Sequence, residues 1–129
     1  MKRSIKCAIA AVAALAALLS MSAAQQGITR MPLGTIDFPP GYQTVMGYAI
    51  VPANTCVERH IHPGIETTYV LEGEELLRVA GQPEKKVKGG DSFQVPAGVP
   101  HEGCTSSTAA KFVTVHVVEK GKPLASPAP

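Results

Sequence analysis

The sequence predicts an all-β domain, either a sandwich or a barrel. Short runs rich in Val, Ile, Thr, Tyr and Phe alternate with polar residues, and Gly, Pro or Asn clusters separate them at roughly eight- to twelve-residue intervals. No segment keeps the 3.6-residue period of an amphipathic helix. This pattern alone leaves jelly rolls, immunoglobulin-like sandwiches and lipocalin-like barrels open.

The individual strands follow from these alternating runs and their turns. We predict strands at residues 42–51, 55–62, 66–71, 75–80, 84–88, 92–95 and 111–118. The preceding arm, residues 25–41, is rich in Gly and Pro, and proline lacks the N–H that a sheet ladder needs. We therefore expect only short edge pairing there. Residues 120–129 contain little apolar surface to bury and are predicted to form a loosely held tail.

The amino-terminal segment, residues 1–24, has the pattern of a cleaved secretory signal. Lys2, Arg3 and Lys6 precede an apolar run of 13 residues, 7–19, and small residues at 22–24 offer a cleavage site. Since about 20 apolar residues are needed to span a bilayer, this run predicts no stable membrane anchor. The expected location is periplasmic or secreted.

Loss of the signal changes the charge balance. The full chain has 12 basic and 10 acidic residues, and three of the basic ones lie in the signal, which leaves a net charge of −1. Lys85, Lys86 and Lys88 lie close to Glu84 on one short strand and are interpreted as a solvated face. The sequence therefore predicts no nucleic-acid partner.

A candidate metal site begins at His60. Side chains two apart on a strand point the same way, so His60, His62 and Glu66 can face one side of a sheet, and His101 follows a Pro-Ala-Gly-Val-Pro turn further along. Three imidazoles and a carboxylate suit Fe, Mn, Ni, Cu or Zn rather than calcium or an iron–sulfur cluster.

The spacing of these residues resembles the cupin signature. HxHxxxExxxxxxG runs from His60 to Gly73, and GxxxxxPxGxxH runs from Gly90 to His101. The sequence departs from that signature at position 54, where asparagine replaces glycine, and at position 105, where threonine replaces asparagine. Neither position supplies a ligand, so the departures concern local turn geometry.

The resemblance implies a double-stranded β-helix, a jelly-roll barrel spanning residues 42–119. It also implies that the strands carrying His60 and His101 lie side by side, that Glu66 comes from the strand between the motifs, and that all four ligands meet in the barrel mouth. Cupins are often dimers, so a homodimer is expected on the same ground.

Two functions remain open from the sequence. One is a metal-dependent enzyme acting on a small organic molecule, of dioxygenase, isomerase or decarboxylase type, because four protein ligands leave open positions on a six-coordinate metal. The other is a non-catalytic periplasmic module that binds a small ligand or only the metal. No residue beyond the ligands is identified as catalytic, and a fold that supports so many chemistries favours none of them.

The positions of several other polar and aromatic residues predict where their side chains lie. His116 shares a strand face with Phe112 and is interpreted as a packed strand histidine that could line the pocket. Glu58 is interpreted as a charge at the rim, with an outer contact to His60 as the alternative. The remaining assignments are to the core for Tyr42, Tyr48, Tyr69, Phe93 and Phe112, and to solvent for Glu72, Glu74 and Glu75.

The two cysteines after the signal could form a disulfide or remain free thiols. Cys56 precedes His60 and Cys104 follows His101, so antiparallel strands that share one metal would bring the cysteines together. Parity opposes the bridge, since Cys56 is four positions from its histidine and Cys104 is three. A bulge at Gly103 would re-aim Cys104 and permit the bridge. Neither cysteine should reach the metal.

Overall fold

The protein forms two antiparallel sheets of five strands each. The computed structural model describes residues 27–129, and the predicted signal segment lies outside them. The strands are β1 (Thr29–Ile36), β2 (Tyr42–Val51), β3 (Cys56–Ile61), β4 (Gly64–Glu72), β5 (Glu74–Val79), β6 (Lys85–Lys88), β7 (Ser92–Val95), β8 (His101–Thr105), β9 (Ala110–Glu119) and β10 (Ser126–Pro127). One sheet has the order β1-β2-β9-β4-β7 and the other β10-β3-β8-β5-β6. The all-β prediction is confirmed.

The strand ends agree closely with the sequence pattern. Tyr42–Val51 and Ser92–Val95 are found as predicted, and the other predicted strands differ by one or two residues at their ends. Strand β4 shows why the alternation is informative, because its even-numbered residues from 64 to 70 are buried while Ile65, Tyr69 and Leu71 are exposed. Within residues 27–129 no helix is long and apolar enough to cross a membrane.

The hydrophobic core fills one part of the space between the sheets. It consists of Val51, Val70, Leu77, Val79, Val87, Phe93, Val95, Ala110 and Phe112. Both sheets contribute, since β5 and β6 supply Leu77, Val79 and Val87. The same inner faces also carry buried polar side chains, including Glu66 and His116 on one sheet and His101 on the other. The candidate site is therefore interior.

The prediction for the amino-terminal arm is wrong. Residues 29–36 form an edge strand of eight residues that pairs with β2, and the register shifts between Pro32 and Gly34. An edge position and a bulge are the places where a sheet tolerates proline. The presence of Pro32 therefore did not prevent a long pairing.

The carboxyl-terminal tail is also more ordered than predicted. Ser126 and Pro127 pair with β3, and the Ala128 N–H donates to the Arg59 carbonyl at 3.2 Å. These contacts use backbone groups, which is why the low apolar content of the tail did not exclude them. The tail thus adds a short edge strand beside β3, the strand that carries His60.

The assignment of the three tyrosines to the core is wrong, whereas that of the two phenylalanines is confirmed. Tyr42 and Tyr69 are 39% and 48% exposed, and Tyr48 is half-buried. Phe93 and Phe112 lie in the core. A phenol can keep its hydroxyl in water while its ring covers apolar surface, so a tyrosine in a strand indicates burial less strongly than a phenylalanine does.

The two departures from the motif preserve local structure. Asn54 adopts a φ of 52°, the left-handed conformation that glycine takes most easily and asparagine tolerates. The Thr105 hydroxyl accepts a hydrogen bond from the Thr55 N–H at 3.1 Å and donates to the Pro52 carbonyl at 2.5 Å. Both replacements therefore support the turn that leads into β3.

A disulfide joins Cys56 to Cys104 across β3 and β8. The two cysteines are direct partners in the ladder, as are His60 and His101. The register shift that makes both pairings possible lies between Val57 and His60, where β3 uses three steps against two on β8. The bulge predicted at Gly103 is therefore found on the opposite strand.

Candidate metal centre

Four side chains from three strands and one turn meet between the sheets. His60 comes from β3, His101 from its partner β8, and Glu66 from β4 of the opposite sheet, while His62 lies in the turn between β3 and β4. One nitrogen or oxygen from each lies within 4.8 Å of all the others, a separation that could hold a metal ion. The predicted convergence of these four residues is confirmed, as are the pairing of the two histidine strands and the origin of Glu66.

Glu66 lies at the centre of this cluster. Its Oε2 atom is 3.1 Å from His62 Nε2 and 3.0 Å from His101 Nε2, and His60 Nε2 is 3.2 Å from His62 Nε2. Its other oxygen accepts a hydrogen bond from the Thr68 hydroxyl at 2.6 Å. The carboxylate is thus oriented by Thr68 on one side and faces the imidazoles on the other.

Backbone carbonyls fix the orientation of all three imidazole rings. The Nδ1–H of His60 donates to the Glu58 carbonyl at 2.7 Å, that of His62 to the Leu124 carbonyl at 2.7 Å, and that of His101 to the Val99 carbonyl at 3.0 Å. A ring whose Nδ1 carries the proton presents an unprotonated Nε2 when neutral, which is the ligand form of histidine. The donor set therefore fits a divalent transition metal.

The protonation tendencies of the cluster follow from burial and from Glu66. Burial and the neighbouring His101 lower the pKa of His60 to about 4. Burial alone would raise the pKa of Glu66, but hydrogen bonds from His101, His62 and Thr68 outweigh it and hold that pKa well below its usual range. Burial would likewise lower the pKa of His101, but its hydrogen bond to Glu66 raises it instead. Without a metal, the carboxylate thus favours a proton on His101, and binding a metal there must release it.

His116 packs against the four-residue cluster without belonging to it. Its ring centroid is 4.5 Å from that of His62, and its Nε2 is 4.0 Å from Glu66 Oε2. Burial lowers the pKa of His116 to about 4, which favours the neutral ring. The prediction that it could line the pocket is confirmed, because it faces the same cavity as the cluster.

The cluster opens into a cavity of about 640 Å³ between the sheets. This volume is in the range of small-molecule sites. Its walls include Met31 and Tyr48 from β1 and β2, Arg59 from β3, and Leu124 from the tail. The arm, for which only short edge pairing was predicted, and the tail, which was predicted to be loosely held, therefore both help to form the cavity.

The sequence interpretation missed two contributors to the site. Glu75, predicted to be solvated, is only 6% exposed and lines the cavity, and burial followed by the charge of Glu66 raises its pKa to about 7. The signal was present, since Glu75 shares its strand face with Leu77 and Val79. The Leu124 carbonyl had no such signal, because a backbone contact 62 residues from His62 depends on the path of the tail.

Comparisons with known proteins place these features in context. The chain is 43% identical over 51 residues to 3-hydroxyanthranilate 3,4-dioxygenase from Bos taurus, a match that covers 37% of this chain and 18% of that enzyme. The chain thus spans less than a fifth of this relative.

Solved structures share the fold over most of the chain. A DMSP lyase from Ruegeria pomeroyi has a TM-score of 0.69 at 19% identity, covering 78% of this chain and 51% of the lyase. An uncharacterized Klebsiella pneumoniae protein with a double-stranded β-helix domain gives 0.65 at 19% identity, covering 79% and 87%. The polyketide cyclase RemF from Streptomyces resistomycificus gives 0.64 at 26% identity, covering 81% and 72%. These likenesses confirm the predicted double-stranded β-helix.

A family model described as the cupin domain matches residues 47–116. This match covers more than half of the chain and includes both halves of the motif, the four clustered residues and His116. The all-β architecture and the solved structures agree with it. The chain therefore belongs to the cupin family.

Proposed function

We propose that this cupin is a metal-dependent enzyme that acts on a small organic molecule, with His60, His62, Glu66 and His101 as the metal ligands. The observation that carries the proposal is the shared orientation of the three rings. Each Nδ1–H is held by a backbone carbonyl, and each Nε2 is directed to the region of the Glu66 carboxylate. A cluster built only for packing would not need three separate carbonyl contacts to direct three lone pairs to one point.

The side chains of the site would act mainly by binding the metal and by orienting the small molecule beside it. A divalent transition metal at this site supplies Lewis acidity, and four protein ligands leave room in a six-coordinate shell for substrate and for O₂ or water. Thr68 keeps one Glu66 oxygen engaged, so the other is free to act as a ligand. The cavity walls bury the small molecule beside the cluster and exclude bulk water.

The relatives support an enzyme, and they leave the reaction open. They include a dioxygenase, a lyase and a cyclase, which differ in chemistry. Among the predicted reaction types, oxygenation has the support of the relative with the highest sequence identity of these three. Isomerase and decarboxylase chemistry have no counterpart among them.

The test begins with metal analysis of protein purified from its native compartment. We expect about one Fe, Mn, Ni, Cu or Zn ion per chain, and we then expect the loaded protein to consume one member of a metabolite panel. The panel should contain 3-hydroxyanthranilate with O₂ uptake as the readout, DMSP, and small keto and hydroxy acids. Protein stripped with a chelator is the matched control.

Two outcomes would count against this function. Protein that carries no transition metal and takes up none on dialysis would remove the metal site. Metal-loaded protein that is stabilised by a panel member without consuming it would show a binding module instead of an enzyme.

We further propose that the mature protein starts near Gln25 and acts in the periplasm or outside the cell. The disulfide between Cys56 and Cys104 supports this location, because oxidising compartments preserve such bonds. Amino-terminal sequencing of the native protein tests it, and an intact Met1 would contradict it.

We also propose a homodimer formed through the outer face of the β1-β2-β9-β4-β7 sheet. Met46, Ile65, Tyr69 and Leu71 are 41–50% exposed on strands of that sheet, and exposed apolar side chains on one face are typical of protein–protein interfaces. Sedimentation equilibrium should show a dimer for the wild type and a shift to monomer for Tyr69→Glu.

A further inference from the structure

Glu75 is a buried carboxyl group in the wall of the metal cavity. Its side chain points to the same face of β5 as those of the core residues Leu77 and Val79, and the residue is 6% exposed. The cavity that it lines also contains the four proposed metal ligands. A carboxylate at a core-facing position is unusual, because acidic side chains are seldom fully buried unless they are paired.

Within residues 27–129, Glu75 has an attractive electrostatic interaction with His101 but no hydrogen bond or salt bridge. None of the hydrogen bonds or ion pairs of the described chain reaches its carboxyl oxygens. Glu66 on the facing sheet is different, since it contacts His62, His101 and Thr68. Both acids are buried to a similar degree, so burial alone does not explain why one is fully engaged and the other is not.

The neighbouring strand makes room for this carboxyl group. A Cβ atom added at Gly103 on β8 would lie 2.5 Å from Glu75 Oε2, 2.7 Å from Cδ and 2.9 Å from Oε1. Any side chain at position 103 would therefore displace the carboxyl group. The absence of a side chain at Gly103 leaves the space that the Glu75 carboxyl group occupies.

A buried carboxyl group without a hydrogen-bond partner in the protein costs stability. An apolar residue at position 75 would continue the pattern of Leu77 and Val79 without that cost. Residues that lower stability but serve a function are concentrated at active and binding sites. No fully buried side-chain oxygen of the described residues lacks a hydrogen-bond partner, so the Glu75 oxygens reach the cavity surface, where an occupant can pair with them.

We propose that Glu75 is a substrate-binding residue, and that its carboxyl group hydrogen-bonds a hydroxyl or amino group of the small molecule held in this cavity. This inference rests on the proposed metal-dependent function and narrows its substrate class to hydroxylated or aminated organic molecules. The metal ligands would hold one part of the molecule, and Glu75 would select the part that carries a hydrogen-bond donor.

Matched probes with and without the donor test this role. We would load the protein with zinc and measure binding by calorimetry for glycolate against methoxyacetate, and for catechol against guaiacol. Because a hydrogen bond to a charged group contributes about 1.5–3 kcal/mol, the wild type should prefer the hydroxyl probe of at least one pair by about tenfold or more. Glu75→Leu should reduce that preference at least fivefold, and Glu75→Gln should be intermediate.

Glu74→Gln is the matched control, because Glu74 lies next to Glu75 but pairs with Lys86 and Ser106 at the surface. It should keep the wild-type preference. Glu75→Leu should also retain zinc and unfold at a higher temperature than the wild type, since it removes a buried carboxyl group that has no hydrogen-bond partner in the protein. If the leucine variant does not fold, the isosteric glutamine variant decides each of these points.

The outcomes separate this inference from the proposed function. A wild type that takes up no zinc would remove both. A zinc-loaded wild type without a preference in either pair, or a Glu75→Leu variant that keeps the wild-type preference, would overturn only the role of Glu75. Loss of zinc from Glu75→Leu would show that Glu75 is a metal ligand. A lower unfolding temperature in both Glu75 variants would show that it has a structural role. Either result would overturn the inference.

Discussion

Replacing His101 with alanine is expected to remove most of the bound metal while leaving a folded barrel. His101 is 3% exposed, and its Nε2 lies 3.0 Å from Glu66 Oε2, so no other side chain can move into its place easily. Loss of one imidazole leaves a coordination position that water fills poorly. Since changes to residues that merely orient a ligand cost 10- to 100-fold in affinity, loss of a ligand should cost about 100-fold or more. Metal content after dialysis and competition with a chelator measure this loss.

His116→Ala is the control for this experiment. His116 is a buried imidazole beside the same carboxylate, but at 4.0 Å from Glu66 Oε2 it lies outside the four-residue cluster. The variant should therefore keep the wild-type metal stoichiometry, even if turnover falls. Full metal occupancy in His101→Ala would show that the proposed ligand set is wrong. Circular dichroism must confirm that both variants keep their β structure.

The four clustered residues could be predicted from the sequence because a strand converts spacing into direction. His60, His62 and Glu66 are separated by even numbers of residues, and the two motifs fix which strands meet. The same rule could have placed Glu75 inside, through its parity with Leu77 and Val79. Its position beside a turn glycine and two other glutamates favoured the wrong interpretation. Periodicity over a whole strand is thus better evidence than the character of a residue's neighbours.

Other parts of the site could not be predicted, because they depend on backbone contacts between distant segments. The Leu124 carbonyl orients His62, and β10 pairs with β3. In both contacts the tail contributes backbone groups, so no residue type in the tail indicates them. Backbone donors and acceptors are present at almost every residue, so sequence alone does not say which ones meet. The pairing of β1 with β2 is also made by backbone groups, and the Gly and Pro content of the arm predicted a shorter one.

The disulfide shows how parity can mislead when the position of a bulge is unknown. From the cysteine pair to the histidine pair, β3 advances four residues and β8 three, so a regular ladder cannot align both pairs. The sequence suggested that Gly103 would absorb the mismatch, since glycine favours bulges. The extra residue instead lies in β3, before His60. Gly103 keeps its place in the ladder opposite Val57 and leaves space for Glu75.

Removing the disulfide is expected to destabilise the protein strongly. The bridge closes a separation of 48 residues, for which the chain-entropy model gives a contribution of about 4 kcal/mol to the free energy of unfolding. For a domain of this size, that corresponds to a fall in Tm of about 15 °C or more. The variant to compare with the wild type is Cys56→Ala/Cys104→Ala, measured by thermal and denaturant unfolding. Mass spectrometry of the unreduced wild type should find no alkylatable thiol in the mature chain.

The stability lost on removing the disulfide should depend on whether metal is bound. The disulfide and the proposed metal would both cross-link β3 to β8. The disulfide connects β3 to β8 directly, and a metal held by His60 and His101 would connect them again a few residues away. When the metal already restricts the unfolded chain, the disulfide closes only a much shorter additional loop. It then contributes less to the free energy of unfolding. The cysteine variant should therefore lose more stability relative to the wild type after chelation than when loaded with a metal that stays bound during unfolding. Equal losses in the two states would mean that the metal does not link β3 to β8, and two free thiols in the oxidised wild type would mean that the bridge does not form.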